Sequence, residues 1–142
     1  MAGRCLLCPS AQPDLPQSTI FGVISGESGV SEVKFLPEQL AVTPELLSMC
    51  APVSPTEVFR FAAPCQQNKC LHFDGQECRL TNNLVQLLPA RDRRLEFCAI
   101  RDSCRWFFQQ GAAACDRCTE VVTMYYNPPA DLDRAAIPFR ER

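Results

Sequence analysis

Ten cysteines and a single histidine stand among 142 residues, and seven of the thiols fall between residues 65 and 118. Written out, that block reads Cys65-x4-Cys70-x-His72-x5-Cys78, then Cys98-x5-Cys104-x10-Cys115-x2-Cys118. Seven thiols and one imidazole are enough donors for two four-ligand centres. Four ligands are what tetrahedral zinc requires and what an iron–sulfur cluster takes from cysteine. The spacing therefore predicts a first ligand set of Cys98, Cys104, Cys115 and Cys118. Cys65, Cys70 and Cys78 form a second set, with His72 available as a further ligand oriented by Asp74.

Two features favour iron and sulfur, of the 4Fe-4S type, over zinc, which is the alternative. Zinc modules pair their ligands in two tight C-x2–4-C or H-x3–5-H hooks, whereas in the 65–118 block only Cys115-Asp116-Arg117-Cys118 has the x2 spacing and the gaps of 7, 5 and 10 are wide and irregular. The thiols are also flanked by bulky apolar residues, Phe97 before Cys98 and Trp106-Phe107-Phe108 after Cys104. Such groups exclude water from a cluster and tune its potential. The ferredoxin runs C-x2-C-x2-C and C-x4-C-x2-C are absent.

The remaining thiols carry less. Cys5-Leu6-Leu7-Cys8-Pro9 has the redox C-x-x-C spacing but precedes any strand, whereas a thioredoxin-type motif follows a strand and opens a helix. The alternatives are half a metal hook that completes a site with Cys50 or with the core block, or a loose thiol pair, and it is assigned no role. Cys50 reads as a small buried hydrophobe. A thiol oxidoreductase would need an exposed thiol of low pKa, for which Cys118 beside Arg117 is the candidate. With one histidine to share, Cys–His nucleophilic catalysis has little to draw on. An accessory or electron-transfer protein is expected rather than an enzyme.

Composition bounds the alternatives. The net charge of −2 gives no general reason for nucleic-acid binding, and no apolar run approaches the about 18 residues of a membrane span. The opening residues lack the apolar core of a secretion signal, so a reducing cytoplasm is expected, where clustered cysteines bind metal more often than they pair. Residues 1–59 carry a net −4 and residues 60–118 a net +3. The cysteine block is thus the positive part of the chain, and nearby arginine favours thiolate. A protein partner is expected, to give or take electrons or to be supported.

The elements that must position these thiols are short. Residues 1–18 show no periodicity and read as an irregular arm. Within 19–63, the short apolar run Ile20–Ile24 and the segment Val30–Leu36, where Val33 and Phe35 alternate with Glu32 and Lys34, form a β-hairpin around a Gly-containing loop, and Thr43-Pro44 opens a helix. Ser54-Pro55-Thr56-Glu57 has the form of a capping box, although Val58–Phe61 alternates like a strand. In the cysteine-rich region 64–126, Leu80, Leu84, Leu87 and Leu88 mark one amphipathic helix stopped by Pro89. Asp102 is expected to cap a second helix ended by Gly111, and residues 112–122 to form a third that carries Cys115 and Cys118 on one face. Residues 127–142 read as an irregular tail. The fold class predicted is small α+β in one compact domain, with a hairpin region followed by short helices and loops around a metal centre.

Overall fold

A computed structural model describes residues 5–25, 32–90, 94–119, and the single positions 121 and 135. A four-stranded antiparallel sheet carries the chain's first half: β1 (Leu7–Ala11), β2 (Thr19–Ser25), β3 (Glu32–Ala41) and β4 (Phe59–Pro64), in the order β1-β4-β2-β3. The expected hairpin is its β2–β3 pair, in which Ile24 faces Val33 and Gly22 faces Phe35; the loop between them lies outside the described residues. The register slips between Ile20 and Gly22 on both sides of β2. Glycine is needed there because a Cβ on Gly22 would stand 2.6 Å from Val33 Cγ1.

Residues 7–11 correct the reading of 1–18 as irregular. β1 pairs with β4, Leu7 opposite Pro64 and Cys8 opposite Ala63. Its ladder is short and broken by a bulge, so the sequence shows no clean period of two. Pro9 and Pro37 sit on the two edge strands, where a missing N–H costs no ladder bond.

Short helices complete the frame: α1 (Pro44–Ser48), α2 (Pro55–Val58), α3 (Arg79–Leu87), α4 (Arg105–Gln110) and α5 (Ala112–Cys118), with 3₁₀ turns at Gln67–Lys69 and Arg101–Ser103. Thr43 caps α1 by accepting from the Leu46 N–H. A helix and a strand both form around residue 55, since α2 runs directly into β4, but Ser54 makes no side-chain cap bond and its hydroxyl pairs with that of Thr56 instead. Asp102 does not cap α4. It lies inside the 3₁₀ turn, and Cys104 takes the N-cap position. α5 is shorter than expected and ends at Cys118. Of the tail, Ala135 alone is described; it is helical and fully buried, and its carbonyl accepts from Asn83 Nδ2. An unstructured tail is therefore wrong at that position, where a small residue fills space against α3.

The sheet buries both faces. Phe21 and Ala62 pack with Leu80, Leu84, Ile100 and Trp106 of the helical half. Ile20, Phe61 and Ala63, one residue out of phase, pack with Leu46 and Leu47 of α1. No helix among the described residues is long and apolar enough to cross a membrane.

Candidate metal centres

The ten cysteines are all thiols, and eight of them divide between two cavities. Cys98, Cys104, Cys115 and Cys118 line one of about 20 Å³, walled by Phe21, Ile100 and Trp106. Cys65, Cys70 and Cys78 line another of about 220 Å³, and the fourth thiol on it is Cys8. Among the described residues no group of three or more His, Cys, Asp or Glu side chains is set to hold a metal ion as placed.

Local structure explains how each set assembles. Gly111 sits between α4 and α5 at φ 65°, ψ −150°, a conformation essentially reserved for glycine. The reversal it permits folds Cys115 and Cys118 back onto Cys104. Cys98 lies just before the 3₁₀ turn that delivers the chain to Cys104, and its carbonyl accepts from the Arg101 N–H. On the other side, Cys70 follows the first 3₁₀ turn, and Cys78 occupies the N-cap of α3 as Cys104 does that of α4. Gln109 of α4 clamps the Cys78 backbone, accepting from its N–H at 2.9 Å and donating to its carbonyl at 2.7 Å.

The cavities share a wall. Cys8 faces the larger one and Pro9 the smaller, as alternation along β1 demands. Cys104 lines the smaller, Arg105 the larger, and Trp106 both. Beside the smaller cavity lies Arg60, wholly buried at 0% exposure. Its Nε and Nη2 donate to the Pro9 carbonyl, its Nη1 to the carbonyls of Cys118 and Val121, and its Nη2 also to Cys118 Sγ at 3.3 Å. Its guanidinium lies 5.4 Å from the Phe21 ring centroid and 5.9 Å from that of Trp106.

Electrostatics follow from this burial. Desolvation pushes the Cys8 and Cys78 thiols up, and charge on the other thiols of the larger cavity adds to it; N–H dipoles of Ser10 and of Leu80 and Thr81 oppose the rise. Burial also raises Cys98 and Cys115 and pushes Cys104 up to about 12. Arg101 draws Cys115 back toward thiolate through a hydrogen bond, and the Trp106 and Phe107 N–H groups do so for Cys104. Cys8, Cys78, Cys98, Cys104 and Cys115 are thus held toward the neutral thiol by burial, with N–H donors aimed at their sulfurs. Such donors are among the features that set cluster potentials.

His72 lines neither cavity. It reaches the larger set through its backbone N–H, 3.5 Å from Cys70 Sγ; its ring Nδ1 is buried without a hydrogen-bond partner among the described residues, and burial lowers its pKa. The aromatic shield is narrower than expected. Trp106 is buried, whereas Phe97 and Phe108 are 65% and 61% exposed and line neither thiol cavity. Arg117 does not serve Cys118. It bonds the carbonyls of Leu88 and Ala113, and the cation at Cys118 is Arg60, from 58 residues away. Cys50 is buried and its thiol meets the Leu46 carbonyl, as a packed thiol should. Cys5 is exposed.

Sequence reading missed Cys8 and Arg60. Cys8 had a faint signal in the C-x-x-C pair, but its partners come only through β1–β4 pairing. Arg60 had one in Phe59-Arg60-Phe61, a cation inside an apolar strand.

Fold and site together define a small α+β protein with two adjoining four-thiol cavities. Searches against protein-family models, curated proteins and solved structures find no match to the chain.

Proposed function

We propose that this chain is a cysteine-rich metalloprotein whose thiols Cys98, Cys104, Cys115 and Cys118 hold an iron–sulfur cluster of the 4Fe-4S type, serving electron transfer, sensing or support of a partner enzyme. The observation that carries this reading is the meeting of four thiols on one apolar cavity with N–H donors turned to the sulfurs. Four cysteines satisfy such a cluster, apolar walls exclude solvent from it, and hydrogen bonds to sulfur tune its potential. Binding would release the thiol protons, so the free energy of metal capture would offset the cost of ionising buried thiols.

A zinc-stabilised interaction module is the second reading. The small volume, about 20 Å³, favours it, because a single ion with Zn–S bonds of about 2.3 Å needs little room. Protein purified without oxygen separates the two. A brown protein with iron and acid-labile sulfide in comparable amounts is expected. A colourless protein with stoichiometric zinc would remove the redox role.

A further inference from the structure

The sequence grouped three thiols of the larger cavity, Cys65, Cys70 and Cys78; the fourth, Cys8, comes from the N-terminal strand. Cys8, Cys65, Cys70 and Cys78 surround about 220 Å³. One tetrahedral ion would draw four sulfurs to within about 3.8 Å of one another, given a metal–sulfur bond of about 2.3 Å, and would leave most of that space unfilled. The wall also carries two buried N–H donors left without a hydrogen-bond partner among the described residues, one of them on a cation. Arg105 is about nine-tenths buried, and its Nε has no hydrogen-bond partner among the described residues, nor has Trp106 Nε1. Its guanidinium lies 5.4 Å from the Phe73 ring centroid, beside the same cavity. A buried donor left unpaired is costly, and an anionic, sulfur-rich ligand would relieve both.

From this geometry we infer that Cys8, Cys65, Cys70 and Cys78 form a second cluster site, taking a polynuclear iron–sulfide core whose negative charge Arg105 balances. The inference extends the reading of the C-terminal set as a cluster site to a second, separate set. On assembly four Fe–S(Cys) bonds form and four thiol protons leave to solvent, with ferrous and ferric iron and sulfide all drawn from the medium. Trp106, common to both walls, then stands between the two centres.

The test is anaerobic reconstitution of the full chain with ferrous and ferric salts and sulfide, followed by iron and sulfide counts per chain. Cys8→Ser and Cys78→Ser should each lose about half of both, Cys115→Ser should lose the other half, and Cys5→Ser should lose none. Unchanged iron in both Cys8→Ser and Cys78→Ser, with loss in Cys115→Ser, overturns the second site and leaves the C-terminal centre standing. Full iron in Cys115→Ser with loss in Cys8→Ser does the reverse. A second measurement uses the unaltered chain. Native alkylation of the half-buried Cys65 and Cys70 should slow at least tenfold on loading and recover on chelation, while exposed Cys5 labels throughout. Equal labelling of Cys65 and Cys70 before and after loading overturns the proposal even if the variants do not fold.

Discussion

Replacing Arg60 with methionine tests whether one buried cation ties β1 to the end of α5. The guanidinium donates to three carbonyls, those of Pro9, Cys118 and Val121, and to Cys118 Sγ. Methionine fills a comparable volume but leaves the Pro9 and Val121 carbonyls without the bonds Arg60 gives them, each at a cost of about 1–3 kcal/mol, while the Cys118 carbonyl keeps the Val121 N–H. Removal of a desolvated charge and burial of a thioether offset part of that. The expected net loss is about 2–4 kcal/mol, a large share of the about 5–15 kcal/mol typical of a domain. Urea unfolding followed by tryptophan emission is a suitable assay, because Trp106 is the only tryptophan and lies beside Arg60, at 1% exposure. The midpoint should fall with little change in slope. Arg60→Lys keeps the charge but not the planar fork that spans Pro9 and Cys118, and should lose roughly half as much. A loss below about 1 kcal/mol in Arg60→Met would refute the role of Arg60 as a strut between β1 and the end of α5.

Other consequences follow from the same geometry. Gly111→Ala should cost about 1–3 kcal/mol, since its φ of 65° with ψ of −150° excludes a Cβ, and should lower metal at the C-terminal set; unchanged metal and stability would remove the hinge. Gln109→Leu should loosen Cys78 and reduce iron in a Cys115→Ser background, where the larger cavity alone is filled, but not in a Cys8→Ser background; equal effects in both would show a general packing loss. In metal-free, reduced protein, Cys104 is pushed up to about 12 from an ordinary 9.0, so its neutral form favours the folded state. That stability is present below about pH 9, where the unfolded thiol also keeps its proton, and is lost between about pH 9 and 12. Urea midpoints that rise with pH across this window would contradict the sign.

Much of the frame was legible in the chain. β-Branched alternation gave the β2–β3 pair, leucines at helical spacing gave α3, and Gly111 ended α4, because periodicity and glycine conformations are local properties. Capping of α4 was misjudged for a physical reason. Asp102 is a strong capping residue, yet the 3₁₀ turn it occupies shifts the helix start to Cys104. Shielding by Phe97 and Phe108 failed similarly, since adjacency in sequence does not say on which side of a segment a ring projects.

By itself the sequence determined that thiols dominate this protein's chemistry, and it grouped Cys98, Cys104, Cys115 and Cys118, whose separations are short enough for turns and two small helices to close. What only the tertiary structure decided is the company of Cys8, 57 residues before Cys65. An edge strand paired to β4 brings it there, and strand pairing is set by the packing of both sheet faces rather than by any nearby residue. The same long-range pairing lays Arg60 between β1 and the end of α5 and turns Trp106 to both cavities. Which residues carry thiols is a local matter, but which thiols share a cavity depended on which segments the core required to lie side by side.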